Sequence, residues 1–194
     1  MSHDLSPWNH ISRICSKANS LMGFLCRTSK DFQSPTTLTT LFKTLVRPIL
    51  EFSSDVWCPY LTGRIDTLER VQIRFLRLIG LRLGYQFLET PVDCLRISLG
   101  LPHLATRRRM ADILILHKMV NGALDCPRLL SLLEFRIPTS TRSANIFFKR
   151  ALPSLYSYHS CIPRLMREGN EVSGGVKFVG SSYQSFRSRL GKLL

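Results

Sequence analysis

Chemistry on phosphate esters usually needs clustered carboxylates to hold metal ions, and this chain of 194 residues has few to offer. Its Asp and Glu total 13 against 27 Lys and Arg, and the acids are scattered. Asp66 and Glu69 come nearest to a pair, but their spacing reads as a helix-capping box. No G-x-x-x-x-G-K phosphate loop occurs, and Gly174-Gly175 reads as an isolated turn. The five histidines show no spacing to a nucleophile or to one another that would make a catalytic or ligand pair. Cys15, Cys26, Cys58, Cys94, Cys126 and Cys161 form no C-x-x-C and read as buried thiols, neither zinc ligands nor disulfides. The expectation is therefore no catalytic residue, no metal and no cofactor.

Arginine is the residue type that does stand in patterns. Arg70, Arg74 and Arg77 recur at i, i+4 and i+7, so one helix face carries all three. Guanidinium forks match phosphate oxygens in charge and geometry, and such a ladder could follow a nucleic-acid backbone or simply be solvated. Arg107, Arg108 and Arg109 form a second candidate group, although consecutive residues point around a helix. Trp57 and Tyr60 could stack on bases, or close a core edge.

The charge is uneven. Residues 1–100 hold 12 basic and 8 acidic side chains, whereas residues 101–194 hold 15 and 5. A net charge of +14 and an isoelectric point near 10.2 point to a polyanionic partner, most often nucleic acid and less often an anionic membrane face, or else to a solvated basic surface with no partner. No apolar run approaches a membrane span, and the N-terminus shows no cationic start leading into an apolar segment. The chain thus reads as soluble and intracellular, in cytoplasm or nucleus, with no membrane partner.

The elements that position these arginines have helical period throughout. Ile11, Ile14, Ala18, Leu21, Met22 and Leu25 form one stripe. Ser34-Pro35 then supplies a cap and a first-turn proline for Leu38, Leu41, Phe42, Leu45 and Ile49, with Pro48 expected to kink or end that helix. Residues 52–61 read as an ordered connection. Asp66 is expected to cap a helix with Leu68, Val71, Phe75, Leu78 and Ile79 inside and Gly80 and Gly84 at its end. Thr90-Pro91 opens a short helix closed by Gly100. Arg107–Arg109 leads a fifth helix that buries Met110, Ile113, Leu114, His117 and Val120 and stops at Asn121-Gly122. Beyond it Pro127, Pro138, Pro153 and Pro163, with Gly169, Gly174 and Gly175, predict a looser stretch before a last amphipathic helix through Tyr183, Phe186, Leu190 and Leu193. The fold class expected is all-α.

The segment LFKTLVRPILEFSSDVWCPY at 41–60 resembles the region that follows the catalytic palm in reverse transcriptases of jockey-like non-LTR retrotransposons. That family carries SLVRPxLEYxxxVWxPY and then LExVQRRxxRxI, and here LERVQIRFLRLI stands at 68–79. LGLP at 99–102, Arg107–Arg109, KMVNG at 118–122, CIPRL at 161–165 and SFRSRL at 185–190 are similar to its later motifs, in the same order. The resemblance covers residues 10–194 and implies a helical thumb-like bundle over 1–85, followed by a looser, basic, mostly helical C-terminal extension over 86–194.

The family's fingers, palm and catalytic aspartates have no counterpart here. The resemblance thus implies a partial RNA-directed DNA polymerase, non-catalytic by itself, whose Arg70, Arg74, Arg77, Arg107, Arg108 and Arg109 are candidates to contact a template–primer backbone without sequence preference. Other partners to expect are the missing palm or a second copy of the chain. The alternatives are a helical protein-interaction module or an inert relic of a transposon reading frame.

Overall fold

The computed structural model describes residues 7–30, 34–136, 145–149 and 151–194; Pro138 and the N-terminal residues 1–6 considered above lie outside them. Among the described residues there is no strand, and the only extended pairing is an isolated antiparallel bridge between Phe135 and Phe147. The fold is all-α. No described helix is long and apolar enough to cross a membrane. Two compact units divide the chain, Met1–Arg107 and Arg108–Leu194. The division falls later than the residue 85 expected, because Leu95, Leu101 and Leu104 complete the core of the first unit.

In the first unit, α1 (Trp8–Thr28) packs along α5 (Thr62–Arg82). Ile11, Ile14, Ala18 and Met22 meet Leu68, Val71, Phe75 and Ile79 in one core. Between them run α2 (Pro35–Leu41), a π-helical turn (Phe42–Val46), α3 (Arg47–Glu51) and α4 (Ser54–Trp57). The helical run passes through Pro48 and continues to Glu51. A proline lacks the N–H and crowds the carbonyl four residues back; here a widened π turn, Phe42–Val46, lies just before it. The π turn sends Phe42 and Val46 inward, and Phe42 stacks on Phe75 with centroids 4.2 Å apart.

Two capping expectations are corrected. Helix α5 begins at Thr62, so Asp66 and Glu69 lie inside it. Glu69 instead accepts the backbone N–H of Ala105 at 2.8 Å, in the first turn of α7 (Leu104–Val120). Ser34 does not cap α2, because its hydroxyl bonds that of Thr36 at 2.7 Å. The remaining element of this unit, α6 (Val92–Ser98), contributes Leu95 to the core.

The second unit begins within α7 and continues through α8 (Pro127–Leu130), α9 (Leu155–His159), α10 (Cys161–Val172) and α11 (Tyr183–Leu193). Ile113, Leu116, Met119, Leu165, Phe147, Phe178 and Phe186 fill its core. Gly169 is no turn: it sits in α10, where a Cβ would stand 2.6 Å from Leu116 Cδ2 and 2.9 Å from Phe147 Cε2. Beside it, the buried Asn170 accepts the N–H groups of Ile146 and Phe147 and donates to the Phe147 carbonyl, each at 2.9 Å. One side chain thereby secures an irregular segment that makes few backbone pairings of its own.

Arg164 and Asp112 form a bidentate pair in this unit, at 2.8 and 3.4 Å, with both residues almost fully buried. Arg164 also donates to the His159 carbonyl at 3.1 Å. Removing either partner strands a buried charge. Asp112→Asn or Arg164→Met should therefore lower stability by about 3–5 kcal/mol in urea unfolding, and Asp112→Leu with Arg164→Met should recover most of that loss.

His117 is buried too. Its ring stacks on Phe186 at 4.1 Å, and Nε2 lies 3.1 Å from the Ser181 hydroxyl. Burial holds its pKa below the ordinary 6.5, against a smaller opposing contribution from the Ser181 backbone. Burial likewise depresses His10 and His159. A depressed folded-state pKa means that the unfolded chain binds protons first as pH falls. Stability should be full above about pH 6.5 and decline below it, and His117→Phe should flatten part of that decline in thermal melts recorded across the range.

Candidate nucleic-acid interface

The arginines singled out in the sequence separate into committed and uncommitted groups. Helix α5 buries Leu68, Val71, Gln72, Phe75, Leu76 and Ile79, which turns residues 70 and 74 outward. Arg70 is exposed and has no ion-pair or hydrogen-bond partner among the described residues. Arg74 is exposed and donates only to the neutral amide oxygen of Asn19 on α1, at 3.1 Å. Arg77, one turn on, leaves the row. Its guanidinium lies 5.3 Å from the centroid of the Phe87 ring, and its Nε is buried.

The 107–109 cluster is consumed inside the protein. Arg107 grips Glu51 through Nε and Nη2, the latter at 2.9 Å, and Arg47 approaches the same carboxylate at 3.9 Å. The hydrogen bond to Glu51 raises the pKa of Arg107. Burial, and next the charge of Arg107, lower that of Arg47. Arg108 is 3% exposed, which leaves no surface for a phosphate. Arg109 bridges Glu168 and Glu171 on α10. Three adjacent arginines thus point three ways, as helical geometry requires, and each direction meets packing or a carboxylate.

Arg82 is also engaged. Its guanidinium donates to the Ser29 carbonyl at 2.6 Å, the Ser29 hydroxyl at 3.1 Å and the Cys26 carbonyl at 3.4 Å, so it caps the C-terminus of α1 where the helix dipole is negative. Trp57 closes a core edge at 6% exposure, with its indole N–H on the Phe52 carbonyl at 2.7 Å, and offers no stacking face. Of the cysteines only Cys15 is buried; all six are free thiols, and Cys94 is exposed. Burial pushes the Cys26 thiol up. No group of three or more His, Cys, Asp or Glu able to hold a metal ion occurs among the described residues.

No family model, curated protein or solved structure matches this chain. The surface therefore has to be read from its own chemistry. Each unit also carries exposed cations outside the candidate set: Arg13 and Lys17 on α1 in the first, and Arg187, Arg189 and Lys192 on α11 in the second. For those on α1 the sequence carries a signal, since residues 8–28 contain no Asp or Glu.

The two classes of arginine should separate in stability. Arg70→Gln and Arg74→Gln should stay within about 0.5 kcal/mol of the parent in urea unfolding, as surface changes do. Arg107→Gln should cost about 1–3 kcal/mol, because Glu51 loses its bidentate donor.

Proposed function

We propose that this chain is the post-palm region of a non-LTR retrotransposon reverse transcriptase, which holds the backbone of RNA, DNA or their hybrid and performs no catalysis alone. The observation that carries this reading is the pair of outward-facing guanidiniums on α5, Arg70 and Arg74, which have no carboxylate against them. They stand in the segment at 68–79 whose pattern resembles the family. The overall excess of 27 cations over 13 acids supports a polyanionic partner, since cations that lack internal acceptors are free to displace counterions from phosphates.

The series of motifs gives the same reading a structural sense. Arg47 and Glu51 hold Arg107, Gln72 donates to the Pro102 carbonyl at 2.9 Å, and Asn121 joins the end of α7 to the Phe178 carbonyl and the Gly180 N–H. These residues of the resembling segments are supports of the fold. The residues between them that point to water are the ones available to nucleic acid.

Backbone binding has a distinct signature. Affinity for duplex should fall linearly on a log–log plot against salt, by about 0.9 per phosphate neutralised. Arg70→Gln with Arg74→Gln should weaken binding about equally on unrelated sequences and reduce the slope by about 1 per contact removed. Fluorescence anisotropy with labelled duplex and hybrid at several salt concentrations measures both; a flat salt response would overturn the proposal.

A further inference from the structure

We propose that the outer face of α1 is a binding site for single-stranded nucleic acid. The proposal rests on the nucleic-acid reading above and assigns the strand type and the surface. An open groove of about 740 Å³ runs along this face, bounded on its far side by Ile49 of α3. Its polar lining is Asn9, Ser12, Arg13, Ser16, Lys17 and Ser20, and no carboxylate lines it. The whole helix holds Arg13, Lys17 and Arg27 with no acidic residue, whereas a helix face that only needs solubility is ordinarily served by both signs.

The geometry suits one strand. Arg13 and Lys17 lie one turn apart, a rise of about 6 Å along the axis, comparable to the step between successive phosphates of an extended strand. Ser12, Ser16 and Ser20 follow with the same period and have no hydrogen-bond partner among the described residues, so their hydroxyls are available to phosphate oxygens. Neither cation is engaged by an acid among the described residues. At the end of the row Phe24 stands 52% exposed and lines the same groove. An exposed ring beside a basic groove is a stacking plate for an unpaired base, and a base held inside a duplex cannot reach it. Arg70 and Arg74 belong to another helix, α5, and supply backbone contacts indifferent to strand type.

The test uses the full chain and three variants: Arg13→Gln with Lys17→Gln, Phe24→Ala, and Arg70→Gln with Arg74→Gln. Each is titrated into a labelled oligothymidylate and a labelled duplex of equal length at low salt, with circular dichroism to verify folding. All the altered positions are exposed. The expected result is a loss of about tenfold on the single strand for each of the two α1 variants, and less than about threefold on the duplex. If the parent binds and the α1 variants bind the single strand as it does, this inference fails while the nucleic-acid reading stands. An equal loss on both probes overturns the assignment to single strands. A parent chain that binds neither probe overturns the reading and the inference together.

Discussion

A guanidinium stays charged at any pH the protein meets, so wherever helix packing takes one from water the chain must supply acceptors. This constraint is met at Arg164, Arg107 and Arg82, whereas Arg108 is buried with its Nη1 unbonded among the described residues. In the second unit it produces the pair of Arg164 with Asp112 between α10 and α7, which is buried and completed by the His159 carbonyl. In the first it seats Arg107 on Glu51 and Arg82 on the carbonyls at the end of α1. Each of these contacts joins helices distant in sequence, and each has its partner chosen by what the apolar faces bring near.

The same constraint shapes the surface. Carboxylates are few, and Glu51, Asp112, Glu168 and Glu171 are already spent on buried or half-buried arginines. Exposed cations that form no ion pair among the described residues remain on α1 and α5 of the first unit and on α11 of the second, with Asp66 one turn from Arg70 on α5. The affinity for polyanions that we propose thus follows from the excess of 27 cations over 13 acids, sharpened by the acids that the interior arginines take up. An exposed cation with no partner is held only by its own stem, so it can rearrange onto phosphates with little loss of folding energy.

Much of the fold was legible because apolar periodicity is a local property. The stripes through Ile11–Leu25, Leu68–Ile79 and Phe186–Leu190 became the buried faces of α1, α5 and α11. Helix starts were less legible. Asp66 had the right spacing to cap, but α5 begins four residues before it, at Thr62, and Glu69 found its donor at Ala105, 36 residues away. The π turn just before Pro48 is likewise invisible to periodicity, which counts apolar spacings and not the pairing of the backbone. Gly169 looked like a turn because the side chains of Leu116 and Phe147 that exclude a Cβ come from other segments.

For the candidate interface the division is sharper. Sequence alone determined that the chain is basic, helical and poor in clustered carboxylates, since those properties are sums over residues or repeats along a short stretch. It also determined that Arg70 and Arg74 share a helix face. Tertiary packing decided which arginines remain free. Arg77 turned to Phe87, Arg108 was buried, and Arg107 and Arg109 met glutamates 56 to 62 residues away. Whether a charge faces water or a counter-charge depends on which helix covers it, and no local pattern carries that information.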